Sequence, residues 1–243
     1  RLSRLRDKVQ LLADAGVDLV LCLAFNQRLR ELSAAAFVQA VLVDGLGVKH
    51  LEIGDDFRFG CDRSGDFAFL QQAGAVAGFT VEEAATVELT GSRVSSTRVR
   101  EALQASDFAE AEHLLGRPFA IAGRVVHGQK LGRQLGTPTA NVQLKRHRVP
   151  LNGVFLVSVE LEGVLQPGVA NIGVRPSVKA DGFAHLEVHL LDFTGDLYDR
   201  RVSVVFHHKL RDEQRFASLE ALKSAIAADV IAARAYWQAQ LNS

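Results

Sequence analysis

Two rhythms of apolar and polar positions run along this chain, and they change over near residue 117. In the first part, Leu2, Leu5, Val9 and Leu12 recur at helical spacing, and Gly16 is placed to close that helix. Val17–Phe25 is a nearly continuous apolar run, the pattern of a strand buried in a parallel sheet. A helix over Ser33–Leu46 and a second strand over Val48–Ile53 follow. Ser64 can cap a helix that runs to about Ala77, and Phe79–Leu89 holds a third strand. Ser95 or Ser96 caps a short helix, and Asp107 begins another that ends near Gly116. Strands separated by helices imply a doubly wound α/β sheet, in which ligands bind at the carboxyl ends of strands. Gly54–Gly60 directly follows a strand and so lies in that place.

After Gly116-Arg-Pro118 the segments become short, β-rich and separated by glycine and proline: 119–127, 153–161, 168–172, 185–193 and 201–208. That pattern predicts a small antiparallel β-barrel. Ser218–Leu241 reads as a closing helix, with Leu219, Leu222, Ile226, Val230 and Ala233 as its buried stripe. The domain boundary is expected near Arg117, giving domains of 1–116 and 117–243.

Composition narrows the function classes. The 243 residues suit one large or two modest domains, and a hydrophobic fraction of 48% supports real cores. Lys+Arg 28 balance Asp+Glu 28, which argues against a nucleic-acid coat or a membrane-surface protein. Cys22 and Cys61 give no disulfide framework and fit a reducing cytoplasm. No uninterrupted apolar run reaches spanning length, because Asp18 cuts the best one, and no signal peptide is visible.

The densest candidate chemistry is Gly128-Gln-Lys-Leu-Gly-Arg-Gln-Leu-Gly-Thr-Pro-Thr-Ala-Asn141. Gly128, Gly132 and Gly136 let a backbone approach a ligand and present its N–H groups. Lys130 and Arg133 can neutralise phosphate, and Thr139 and Asn141 offer hard oxygens of the kind Mg²⁺ accepts. The spacing is not that of a P-loop. The plain alternative is a glycine-rich hairpin with solvated charges.

Other positions carry two readings each. Ser95-Ser-Thr-Arg-Val-Arg100 puts hydroxyls and cations at a helix N-terminus, which suits an anion or simply a capped helix. Asp56 is a nucleotide contact or a turn former. On His185-Leu-Glu-Val-His-Leu190, Leu186, Val188 and Leu190 face one side and His185, Glu187 and His189 the other. Glu187 is a solvent-facing barrel position or a functional carboxylate. His185 and His189 are read as non-metal residues, and the adjacent pair His207-His208 points to opposite faces. Lys145-Arg-His-Arg148 reads as a solvated cationic loop. Tyr236 and Trp237 read as core.

The glycine-rich segment resembles the signature of riboflavin kinases. Gly168-Val-Ala-Asn-Ile-Gly-Val-Arg-Pro-Ser177 resembles a second block of that family. Leu186–Phe193 with Gly195-Asp-Leu-Tyr198 resembles its catalytic strand, and Leu210–Phe216 resembles the lead into its closing helix. Gly54-Asp-Asp-Phe-Arg-Phe-Gly60 and Ser95–Arg100 resemble the other half of a bacterial bifunctional family, riboflavin kinase fused to FMN adenylyltransferase, or FAD synthetase. The resemblance runs over nearly the whole chain. It implies a nucleotidyltransferase-like α/β domain followed by a riboflavin kinase-like barrel. The reactions it implies are phosphorylation of riboflavin to FMN by ATP and Mg²⁺, then adenylylation of FMN to FAD. It implies that Glu187 is the general base and that Thr139, with Asn141, holds Mg²⁺. It places Arg211 and Phe216 beside the flavin, with Phe216 either packing on the ring or anchoring the last helix. It also implies that Asp56, Arg93, Ser96, Thr97 and Arg100 serve the adenylyltransferase.

One departure stands out. The adenylyltransferase half of that family carries an early His-x-Gly-His motif, and none of the eight histidines here forms it. The chain starts at Arg1 and contains no Met. The expectation is that the family's opening strand and helix lie before Arg1, since a doubly wound sheet places its first strand centrally. Without that motif, the polypeptide as given is not expected to make FAD. Two other functions stay in view: a kinase whose α/β half is a non-catalytic module, and a flavin-binding regulatory protein. A nucleic-acid-binding barrel is disfavoured by the charge balance and few aromatics. The expected partners are small molecules, ATP and flavins, and a homo-oligomer is compatible with the sequence.

Overall fold

The computed structural model describes residues 2–128, 137–145, 149–174 and 184–241. The chain forms two compact units, one of Leu12–Val94 and one of Arg1–Leu11 with Ser95–Ser243. The boundary expected from sequence near Arg117 falls inside the second of these.

Helix α1 spans Leu5–Asp14, and no residue of it is buried. Leu5, Val9 and Leu12, which recur at helical spacing, are exposed. The run Val17–Phe25 is not a strand: among the described residues it has no sheet partner, and Leu19 and Phe25 are each 79% exposed. A strand rich in apolar residues on both faces is held by neighbours on each side and helices above and below. Short helices α2 (Gln27–Arg30) and α3 (Ala34–Phe37) follow, each capped by the residue before it, Asn26 and Ser33. α3 continues as a π-helical turn over Val38–Val43.

Strand β1 (His50–Ile53) pairs in parallel with β2 (Thr80–Glu83) across α4 (Phe67–Ala77), a βαβ unit. The cap of α4 is Asp66, not Ser64; the Ser64 hydroxyl instead bonds Asp62. Gly74 lets α4 lie close to Phe79, because a methyl group there would sit 2.4 Å from the Phe79 carbonyl oxygen. Leu42, Ile53, Phe59, Leu70 and Phe79 form this unit's core. The third strand expected over Phe79–Leu89 is split. After β2 the chain makes a separate hairpin, β3 (Glu88–Leu89) with β4 (Ser92–Arg93), turned by Thr90 and Gly91, both at positive φ.

In the other unit, α5 (Ser96–Gln104) is capped by Ser95, and α6 (Phe108–Leu115) by Asp107. Strands β5 (Ala120–Val126), β6 (Ala140–Gln143), β7 (Gly153–Leu161), β8 (Val164–Val174), β9 (Ala184–Leu190) and β10 (Arg201–Arg211) close into an antiparallel barrel in the order β10-β5-β6-β9-β8-β7. Among the described residues each of these strands pairs with two neighbours, which closes the sheet on itself. Of these, β6 had not been read from sequence. Phe108 of α6 packs against Phe155 and Phe206, so α6 adds to the barrel core. Helix α7 (Leu219–Leu241) lies on β7 and β8 through Val230, Ala233, Tyr236 and Trp237. Leu219, at the start of the expected stripe, is exposed.

Candidate active site

Strand β9 is buried at Ala184, Leu186, Val188 and Leu190, so His185, Glu187 and His189 lie on its other face. The register sets Asn141 of β6 and Asn171 of β8 directly opposite Glu187. Opposed residues share a face of a sheet. Asn141, Glu187 and Asn171 therefore form one polar row across three strands.

A cavity of about 380 Å³ opens over this row. Thr139, Asn171, Glu187, Glu213, Arg211 and Phe216 line it, and Leu222, Ile226 and Val230 of α7 supply an apolar wall. Arg211 reaches the cavity past a bulge in β10 between Lys209 and Arg211. Bulges re-aim side chains in this way. Its guanidinium is held by Asp229 of α7 and lies 5.6 Å from the centre of the Phe216 ring. A second cavity, of about 270 Å³, is lined by Val188, Leu190, Phe193, Leu197 and Tyr198. Thr139 lines both.

Several contacts fix the polar groups. His189 Nδ1 is 2.9 Å from the Pro138 carbonyl oxygen, which pins the turn carrying Thr139. Asn171 donates through Nδ2 to Glu213 Oε1 at 3.5 Å, and Glu213 also lies 3.6 Å from His185 Nε2. Asn171 Oδ1 is buried without a hydrogen-bond partner among the described residues. A buried acceptor of this kind calls for a ligand, an ion or a water. Gly128 passes over Asn141 so closely that an added methyl would meet its amide at 2.3–2.6 Å. Among the described residues no cluster of three or more His, Cys, Asp or Glu is placed to hold a metal. The donors near the row are instead the Thr139 hydroxyl, the amide oxygens of Asn141 and Asn171, and the carboxylates of Glu187 and Glu213. That set fits Mg²⁺, which takes few protein ligands and completes its shell with phosphate and water.

The fold thus brings Thr139, Glu187, Arg211 and Phe216 to one cavity, with Asn141 in the row beside it and Gly128 against Asn141. Lys130, Gly132, Arg133 and Gly136 lie outside the described residues, as do Arg175–Ser177 and three of the four residues of the 145–148 cationic run. Asn171, His189, Glu213 and Asp229 were not chosen as site residues from sequence. Asn171 stands inside the Gly168–Ser177 block, which was the available signal.

The other candidates divide between the two units. In Leu12–Val94, Arg93 grips Asp55 at 2.9 and 3.0 Å and approaches Asp56 at 4.0 Å. The hydrogen bond from Arg93 holds the Asp55 carboxyl below the usual carboxylate range. Asp55, not the exposed Asp56, is the closer partner. Ser96, Thr97 and Arg100 lie on α5 in the other unit.

Comparison with known proteins bears on both parts. The riboflavin kinase family matches residues 115–237, and the FAD synthetase family matches residues 1–98. A bifunctional riboflavin kinase/FMN adenylyltransferase of Pseudomonas fluorescens is 77% identical over 220 residues, which is 90% of this chain and 71% of that protein. The Escherichia coli K12 protein of the same name is 52% identical over 238 residues, 98% of this chain and 76% of the relative. A solved structure from Streptococcus pneumoniae, titled a macrolide-efflux protein, matches with a TM-score of 0.78 at 31% identity, covering 96% of this chain and 75% of that one. Among the described residues no helix is long and apolar enough to cross a membrane.

Proposed function

The chain belongs to the bifunctional riboflavin kinase/FMN adenylyltransferase family, and from that premise we propose which of its residues carry the chemistry. It is a transferase of flavin biosynthesis. It phosphorylates riboflavin to FMN with ATP and adenylylates FMN to FAD with release of pyrophosphate.

The kinase step is assigned to the cavity over the Asn141–Glu187–Asn171 row. The flavin ring lies against Phe216 and the apolar wall of α7, with Arg211 held in place by Asp229. The nucleotide lies toward the second cavity, and the resemblance assigns Gly128, Lys130, Gly132, Arg133 and Gly136 to its phosphates. The two meet at Thr139. Glu187 accepts the proton of the riboflavin 5′-hydroxyl as that oxygen bonds to the γ-phosphorus. The bond from the γ-phosphorus to the bridging oxygen breaks, and ADP leaves with the electron pair. Thr139 and Asn141 would hold Mg²⁺, with Asn171 Oδ1 a further oxygen within the row. When bound, the ion supplies charge neutralisation for the phosphate oxygens. The protein supplies position and exclusion of water.

For the adenylyltransferase step, the family resemblance assigns Arg93, Ser96, Thr97 and Arg100 to anionic phosphate and Asp56 to a nucleotide contact. The domain boundary is placed near Arg117. The protein is placed in the cytoplasm, where ATP and flavins are its partners in place of nucleic acid or membrane. Two exposed cysteines without a disulfide agree with that compartment.

The observation that carries the kinase assignment is the meeting of Thr139, Glu187, Arg211 and Phe216 around one cavity. Chromatography of products from riboflavin, ATP and Mg²⁺ tests it. Glu187→Gln is expected to lower FMN formation by roughly 10²–10⁴-fold, the usual worth of a positioned base, while riboflavin still binds. FMN formation at the parental rate in that variant would remove Glu187 from the mechanism.

A further inference from the structure

A third cavity, of about 500 Å³, lies apart from the kinase row but within the same compact unit. It is bounded by the first turns of α1, the start of α5, the α6–β5 connection, and strands β5 and β10. Its walls carry Arg6, Lys8, Arg100, Arg117 and Arg201 against a single carboxylate, Asp7. That carboxylate is already taken: Arg4 Nε lies 3.1 Å from it, and Arg201 pairs with its other oxygen. Arg6, Lys8, Arg100 and Arg117 pair with no carboxylate among the described residues. Arg117 donates one N–H to the Pro118 carbonyl at 3.2 Å, which leaves most of its fork unused. Arg100 and Arg117 are both half-buried. Half-buried cations gathered without counter-charge repel one another unless an anion joins them.

The rest of the lining says which anion. Ser96 and Ser203 bring hydroxyls, and Leu115 and Phe119 bring an apolar wall. Guanidinium forks match phosphate oxygens in pairs. Four cations without counter-charge suit a multiply charged group better than a lone carboxylate. The volume falls in the range that holds a nucleotide-sized molecule.

We propose that this cavity binds a phosphorylated ligand, a phosphomonoester such as FMN or free pyrophosphate, and that Arg6 and Arg117 join Ser96 and Arg100 in holding its phosphate. The inference rests on the assignment of Ser96 and Arg100 to phosphate given above. It extends that site beyond the Ser95–Arg100 motif to a residue at the entrance of the barrel, Arg117, and one on α1, Arg6.

The test is arginine modification by phenylglyoxal, read peptide by peptide in a mass spectrometer on the full chain. Riboflavin, FMN and inorganic pyrophosphate are compared. FMN and pyrophosphate are expected to protect Arg6, Arg100 and Arg117, and riboflavin is expected not to. Protection by FMN alone would also support the site and identify a flavin phosphate as its ligand. Arg200 and Arg234, exposed and paired with Glu162 and Asp192, serve as controls and should not change. Protection of Arg100 without Arg117 and Arg6 would overturn the extension and leave the motif assignment standing. No protection of any of the three would overturn both. Pyrophosphate titration of Arg117→Ala is expected to show about tenfold weaker binding, the loss of a hydrogen bond from a charged group. Thermal melting confirms that the variant is folded, and Arg6→Ala replaces it if it is not. Unchanged affinity in the folded variant would overturn the proposal.

Discussion

Arg211 forks onto Asp229, with Nε 2.9 Å from Oδ1 and Nη2 2.8 Å from Oδ2. The pair joins the end of β10 to α7 at the rim of the kinase cavity. Asp229 is one of two buried polar or charged residues among those described, at 8% exposure. Removing one partner of such a pair leaves the other charge uncompensated, which costs about 3–5 kcal/mol. Asp229→Ala is therefore expected to lower the unfolding free energy by that order in urea titrations. It should also raise the KM for riboflavin, because Arg211 is no longer fixed over Phe216. The double variant Arg211→Met/Asp229→Leu should recover most of the stability and none of the riboflavin affinity. Equal recovery of both would mean that the pair serves only to dock the helix.

Gly128 offers a separate handle on the metal. An alanine methyl would sit 2.3–2.6 Å from the Asn141 amide, too close for real atoms, so the flexible amide must swing away. Gly128→Ala is expected to leave the fold intact and to raise the Mg²⁺ concentration for half-maximal FMN formation by roughly 10–100-fold, the usual effect of disturbing the surroundings of a metal ligand. A Mg²⁺ titration of the kinase rate measures this. An unshifted midpoint would take Asn141 out of the metal site.

His189 acts through the backbone. Its contact with the Pro138 carbonyl holds the turn that presents Thr139. Loss of one such bond is worth about 1 kcal/mol. His189→Ala should lower kcat several-fold at saturating riboflavin, and His189→Gln, which keeps a donor, should restore part of it. Steady-state kinetics at saturating ATP and riboflavin separate the two variants.

Much of the barrel was legible because its strands obey local rules. The alternation of Leu186, Val188 and Leu190 against Glu187 and His189 is visible in sequence and holds in the structure. So are the caps Ser95 and Asp107, whose short side chains reach a free N–H three residues on. Val17–Phe25 misled because an apolar run records what a segment could bury, not whether neighbours are present to bury it. Leu19 and Phe25 are exposed here. Ser64 misled because two residues later Asp66 competes for the same role and its carboxylate wins. Asn171 and Glu213 were missed for another reason. The register of β8 on β9 sets Asn171 opposite Glu187, and Glu213, just past β10, reaches Asn171 and His185 from a segment far away in sequence. Asp229 was hidden inside an apolar helical stripe, where its partner on β10 could not be read from spacing.

His207 gives the fold a pH dependence with a definite sign. A bulge in β10 between Phe206 and His208 leaves His207 as the extra residue. Its Nε2 lies 2.8 Å from the hydroxyl of Ser158, itself 1% exposed, and its ring meets the edge of Trp237 at 4.9 Å. Burial pushes its pKa below the ordinary value of 6.5, with the charge of Glu112 opposing in part. The folded protein therefore favours the neutral ring, and the unfolded chain takes up the proton first as pH falls. Stability from this residue is full above the unfolded value and is lost as pH drops through it, levelling off below the folded value. The urea midpoint is expected to fall between about pH 7.5 and about pH 5.5, the range in which an unperturbed histidine titrates. His207→Gln should lower the midpoint at neutral pH, where the packing against Ser158 and Trp237 is lost, and should flatten the fall. A variant with the parental slope would show that the acid sensitivity arises at another histidine.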